Sequence, residues 1–225
     1  MESQTPEISS QTPLLTPTSS PRSRTNEILL PGYLLNELYG LTSQEIIQYF
    51  KDDAEGRSVP SQKELSLRLR YLPLETNDVD SNPERLCGGL EVIDITKEPD
   101  TLFKWPLAGI ILQYFHLLHS GIDIADVTNP MGGPVLAVTR GVVIDIQEQS
   151  WGYGNYVVLN HENKLLTLYA HLSEINVQIG EEVQEDTILG RVGSTGYSSG
   201  FHLHLGVFER SEDGCIAVNP LLLLP

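Results

Sequence analysis

Apolar and polar positions alternate with period two through Gly200-Phe201-His202-Leu203-His204-Leu205-Gly206-Val207. That alternation predicts a strand with Phe201, Leu203, Leu205 and Val207 on one face and His202 and His204, about 6–7 Å apart along the chain, on the other. One face is fit for a core, and the other offers two imidazoles. Short runs of similar texture recur at 135–138, 141–146, 155–160, 164–170 and 188–192, separated by Gly, Asn, Asp and Pro. From about Trp105 onward the chain therefore reads as an almost purely β domain of short antiparallel strands. Upstream the period lengthens. Leu34, Leu35, Leu38 and Leu41 fall on one helical stripe, and Thr42-Ser43-Gln44-Glu45 has the form of a capping box opening a second run through Phe50, so two short helices broken at Gly40 are predicted.

Composition divides the remainder. Residues 1–26 are dominated by Ser, Thr, Pro and Gln and cannot bury enough apolar surface to offset their ordering entropy, which predicts a disordered tail. Residues 27–73 form a small helical region. Its apolar spacing resembles that of a LysM-type glycan-binding module, and the plainer reading is a small helical docking element. Residues 74–104 are acidic and carry interspersed Pro and Gly, the character of a linker with one strand at 90–95, and 105–225 form the β domain. With 14 basic against 30 acidic residues the formal charge is −16, which argues against nucleic acid as a partner. Cys87 and Cys215 are too few for a disulfide scaffold or a cysteine-based zinc module and form one disulfide or none. The first residues lack a basic stretch followed by an apolar one, and no run approaches the roughly 18 apolar residues of a membrane span; a signal peptide and a membrane segment are thus not expected.

Three further positions join the two histidines. In His119-Ser120-Gly121-Ile122-Asp123 an imidazole precedes a carboxylate by four residues, with a glycine between them that lets the chain turn both groups towards one point. Taken alone, the same segment reads as an ordinary turn into a strand. His171 closes the alternating run Thr167-Leu168-Tyr169-Ala170, where a satisfied, partly buried histidine would look no different. A catalytic zinc takes three protein ligands from His and Asp/Glu and keeps an open position. His119, Asp123 and one member of the His202/His204 pair meet that count, leaving two imidazoles to move a proton and support charge on a carbonyl oxygen. His116 and His161 are read as structural or surface residues.

These motifs resemble those of the lysostaphin/LytM-type zinc endopeptidases of bacterial peptidoglycan. The likeness runs through His119-Ser120-Gly121-Ile122-Asp123, Gly133-Pro134-Val135, Gly152-Tyr153-Gly154-Asn155-Tyr156, Tyr169-Ala170-His171-Leu172, Gly193-Ser194-Thr195-Gly196, Gly200-Phe201-His202-Leu203-His204 and Val218-Asn219-Pro220. It covers about 105–225 and leaves residues 1–100 unaddressed, so those residues are expected to be dispensable for the chemistry. The resemblance implies a compact antiparallel β-sheet groove of the LytM, duplicated-hybrid-motif type. It also implies that His119, Asp123 and His204 hold Zn2+ while His171 and His202 act in catalysis, and that the substrate is a peptide bond in peptidoglycan cross-links or bridges. The alternative is a non-catalytic LytM-like regulator that binds and activates a partner wall hydrolase or divisome protein. Family members usually act in the cell envelope or outside the cell, an expectation set against the absence of a recognisable export signal and the acidic balance of the chain.

Overall fold

A computed structural model describes residues 32–69, 71–73, 103–130, 132–211 and 214–225. The tail at 1–26, the strand read at 90–95 and Cys87 lie outside the described residues. Within them the architecture is mainly β and antiparallel, as the alternation predicts. The strands are β1 (Tyr71–Pro73), β2 (Gly109–Gln113), β3 (Gly121–Asp126), β4 (Pro134–Leu136), β5 (Gly141–Gln147), β6 (Tyr156–Asn160), β7 (Leu165–Ala170), β8 (Glu174–Ile175), β9 (Glu182–Val183), β10 (Ile188–Arg191), β11 (Leu203–Ser211) and β12 (Gly214–Val218).

The histidine-bearing strand β11 is the hub of the main sheet. Along one edge it pairs first with β3 and then with β12, and along the other it pairs with β7, from which the sheet continues through β6 and β5 to β9. Strand β2 adds to β3 and β1 to β12, while β4, β10 and β8 make a second small sheet. Leu203, Leu205 and Val207, on one face of β11, are fully buried. Strand β7 is buried along its whole length, which explains why Leu165-Leu166-Thr167-Leu168-Tyr169-Ala170 reads as a nearly continuous apolar run. Three polar side chains in this interior are satisfied internally. His161 donates from Nδ1 to the Arg140 carbonyl at 2.7 Å, and its Nε2 lies 2.7 Å from the Thr167 hydroxyl, itself 3.1 Å from that of Tyr169. Burial pushes the His161 imidazole down to about 4, so it is neutral at pH 7. His161 is thus a core histidine.

The β domain begins slightly earlier than composition suggests. Phe103, which the acidic stretch places in the linker, is buried in the core, and its N–H donates to the Leu223 carbonyl at 2.8 Å. The helical region has three helices. α1 (Gly32–Tyr39) stops at Gly40, whose φ of +66° is the left-handed geometry that ends a helix. α2 (Ser43–Ala54) opens on the Thr42/Glu45 capping box. α3 (Gln62–Arg68), which the apolar period alone does not announce, opens on the same device at Ser61 and Glu64. Leu35, Tyr39, Leu41, Tyr49 and Leu65 close a small core of their own. The unit does not stand apart from the sheet. β1 runs antiparallel to β12, the Asn219 side-chain amide donates to the carbonyls of Ser66 (2.9 Å) and Leu69 (3.1 Å), and the Leu117 N–H donates to the Leu38 carbonyl at 3.0 Å. Cys215, on β12, is disulfide-bonded. No described helix is long and apolar enough to cross a membrane.

Candidate metal centre

The register of β3 on β11 sets Asp123 directly opposite His204. In an antiparallel pair, opposed residues project to the same face, so the carboxylate and the imidazole meet although 81 residues separate them. His119 arrives from the hairpin between β2 and β3. There Leu117 and Leu118 form a two-residue turn closed by His116 N–H to His119 O at 3.1 Å and His119 N–H to His116 O at 2.9 Å. The outcome is a nearly equilateral triangle: His119 Nε2 to Asp123 Oδ1 3.1 Å, His119 Nε2 to His204 Nδ1 3.1 Å, and His204 Nδ1 to Asp123 Oδ1 3.0 Å. Ligands about 2.0–2.1 Å from a tetrahedral ion lie about 3.3 Å from one another, and these three atoms need only a few tenths of an ångström to reach that spacing.

Hydrogen bonding behind the triangle sharpens the argument. His119 Nδ1 lies 3.1 Å from the Tyr114 carbonyl, which can only accept; in the neutral ring the proton therefore sits on Nδ1 and Nε2 presents a lone pair to the Asp123 carboxylate. Two acceptors 3.1 Å apart repel unless a cation or a proton lies between them. His204 is fully buried and its Nε2 has no partner, so its place in the sheet is set by packing and by the groups around Nδ1. Burial by itself would raise the Asp123 pKa, but the His119 and His204 imidazoles beside it outweigh burial and hold the carboxyl well below its usual range. Burial pushes His204 below the ordinary histidine value, keeping it neutral. Two imidazoles and one carboxylate are a donor set that suits zinc, and these three residues could hold a metal ion.

His171 and His202 stand beside the triangle rather than in it. His202 Nε2 is 3.7 Å from the other Asp123 oxygen, Oδ2, and its Nδ1 donates to the Gly200 carbonyl at 2.8 Å. His171 follows the last residue of β7, Ala170, which pairs with His204. Its Nδ1 donates to the Thr195 carbonyl at 2.8 Å, and its φ of +63° is left-handed. A non-glycine residue held there costs on the order of 1–3 kcal/mol and persists only where surroundings over-determine it; here the His171 N–H is tied to the Tyr153 carbonyl at 2.9 Å. The rings of His171 and His202 are 4.8 Å apart. Burial, with smaller help from neighbouring histidines, lowers His171 to about 4, so a lone pair is available at neutral pH.

All five residues line one open cleft of about 280 Å³, together with Gln113, Tyr153, Tyr197 and Ser199. The structure thus brings together every position the sequence singles out and leaves His116 and His161 off the cleft wall. The orienting carbonyls of Tyr114 and Thr195 have no signature in sequence, because any residue supplies a carbonyl. Tyr153 carries one, the Gly152-Tyr153-Gly154 pattern, to which the sequence assigns no role.

The fold and site together define a small antiparallel β domain whose central strand pair carries, in a cleft and flanked by two more imidazoles, a His-Asp-His triangle that could hold a metal ion. Residues 117–220 match the model of Peptidase family M23. The match places the β domain, residues 117–220, in that family. Among relatives, it is 47% identical over 104 residues to the DD-carboxypeptidase/endopeptidase Mpg of Neisseria meningitidis serogroup B, covering 46% of this chain and 22% of that protein. It is 29% identical over 130 residues to the murein hydrolase activator NlpD of Escherichia coli K12, covering 58% of this chain and 33% of that protein. Among solved structures, the catalytic domain of lysostaphin from Staphylococcus simulans is 32% identical, with 46% of this chain and 77% of that one covered and a TM-score of 0.41. The chain spans between about a fifth and a third of the length of these curated relatives.

Proposed function

We propose that the chain is a zinc-dependent metalloendopeptidase that hydrolyses peptide bonds in peptidoglycan cross-links or bridges. The observation that carries this reading is the triangle of His119 Nε2, Asp123 Oδ1 and His204 Nδ1 with sides of 3.0–3.1 Å. His119, Asp123 and His204 would hold the zinc, which at a three-ligand site supplies Lewis acidity and brings the pKa of water from about 15.7 towards about 7. The protein's own groups do the rest. The Thr195 and Gly200 carbonyls fix the proton on Nδ1 of His171 and His202, leaving Nε2 of each ring a lone pair to take a proton from attacking water and, once protonated, a donor to the charge that builds on the carbonyl oxygen. The neutral state of His171 suits the first of these roles. An acidic chain approaches a wall substrate without help from long-range attraction, so recognition rests on contacts within the cleft. The disulfide at Cys215 favours an oxidising compartment, the cell envelope or beyond.

The similarity to NlpD favours a second reading, a LytM-like regulator that activates a partner wall hydrolase. The two readings part at His202. Under the first, His202→Ala keeps near-stoichiometric zinc and loses about 10²–10⁴ in the rate of hydrolysis of isolated wall or a cross-link peptide, whereas His204→Ala loses both metal and activity. Metal analysis and timed digestion of both variants decide it. Zinc-loaded wild-type protein that hydrolyses nothing alone but accelerates a wall hydrolase would establish the regulator instead.

A further inference from the structure

His116 is a buried imidazole that the proposed chemistry does not use, and it sits between the helical element and the metal triangle. Its ring meets the Tyr39 ring edge-on at 6.2 Å and the His119 ring at 5.5 Å. Its Nδ1 accepts from the Leu118 N–H at 3.2 Å, and its Nε2 lies 3.0 Å from the Gln113 side-chain amide. The turn it opens carries His119 on its far side. The Leu117 N–H of that turn donates to the Leu38 carbonyl, in the last turn of α1, where helix carbonyls lack intrahelical partners. One main-chain bond and one aromatic contact therefore join α1 to the hairpin that presents a ligand.

We infer that α1, acting through Leu38, Tyr39 and His116, is a positioning element for the metal centre. His119 Nε2 must stay within a few tenths of an ångström of its place opposite Asp123 and His204, and its hairpin lies at the margin of the sheet, since β2 pairs with β3 alone among the described strands. A hairpin at a sheet edge is held by few interstrand bonds. Contacts with α1 hold a tip that is otherwise open to solvent: Leu118 is 68% and Leu117 44% accessible. Groups that orient a metal ligand from outside the coordination sphere typically change affinity by about 10–100-fold when removed. On this account the helical region is part of the site's machinery rather than dispensable to its chemistry, and zinc affinity reports on whether it is docked.

The inference rests on the metal reading of His119, Asp123 and His204, and its test separates the two. Neither residue of this two-residue turn has a positive φ, and Leu117 holds its first position, where β-turns most readily take proline. In the full chain, Leu117→Pro removes the N–H bonded to Leu38 while Leu117→Ala keeps it. Tyr39→Ala removes the ring against His116 while Tyr39→Phe keeps it. Zinc affinity is read by competition with a chromophoric chelator, and folding by circular dichroism and thermal melting. Leu117→Pro and Tyr39→Ala are expected to weaken zinc about 10–100-fold, with Leu117→Ala and Tyr39→Phe within about threefold of wild type. If Leu117→Pro does not fold, Tyr39→Ala against Tyr39→Phe decides alone. Folded Leu117→Pro and Tyr39→Ala that hold zinc as tightly as wild type overturn the positioning role. Wild-type protein that takes up no zinc overturns the metal reading, and this inference with it.

Discussion

Gly121 is the residue at which the candidate metal site and the sheet are most tightly bound together, and Gly121→Ala tests that dependence. A Cβ at this position would stand 2.5 Å from the Leu205 carbonyl oxygen and 2.7 Å from both Cε1 and Nε2 of His204. Ordinary van der Waals contact begins near 3.4 Å, so about 0.7–0.9 Å must be found. The obstacles are the backbone of β11 and an imidazole that is 4% exposed, and neither can swing aside as a surface side chain would. Relief must come from parting β3 from β11, two positions from the Asp123–His204 pair that those strands hold face to face. Overpacking of this kind costs about 1–3 kcal/mol. A shift of even half the required distance moves His204 Nδ1 out of its 3.0 Å approach to Asp123. The expected result is a melting temperature lowered by several degrees together with zinc affinity reduced by about tenfold or more, the scale seen when a ligand loses its orienting surroundings. Gly200→Ala is the control, since a Cβ there meets nothing within 4 Å. Chelator competition and thermal unfolding on the two variants are sufficient. A Gly121→Ala protein that binds zinc and melts like Gly200→Ala would refute the argument that the space beside His204 is reserved for its ring.

Two further outcomes follow from the interior. Because His161 is pushed down to about 4 in the folded protein from an ordinary value of 6.5, the unfolded chain binds the extra proton first as pH falls; stability is full above about 6.5 and is lost towards 4, at up to about 1.4 kcal/mol per pH unit. Urea unfolding at pH 7 and pH 4.5 should show this loss in wild type and a flatter dependence in His161→Gln, and equal slopes would remove His161 as the cause. Asn219→Ala deletes the side-chain bonds to Ser66 and Leu69 and strands the buried Ser66 carbonyl, so a loss of about 1–3 kcal/mol is expected in thermal unfolding; an unchanged melting temperature would mean α3 is held by other contacts.

Period-two alternation was enough to read the β domain and to place His202 and His204 together on one face of a strand, because side-chain direction along a strand is a local property of the backbone. The Thr42/Glu45 capping box and Gly40 marked the first two helices for the same reason, and Ser61/Glu64 held an equal signal for the third. Residue types and spacing identified five candidate groups, but not how they divide between metal and proton transfer; that division was implied by family resemblance alone. The tertiary structure decided which atoms converge. The pairing of β3 with β11 sets Asp123 against His204 rather than His202, a matter of register between segments some 80 residues apart that no local pattern encodes. It also placed Phe103 in the core and Leu38 and Tyr39 against the hairpin of His119. Contacts of that kind arise from which surfaces meet on folding, and a chain read in order carries no direct sign of them.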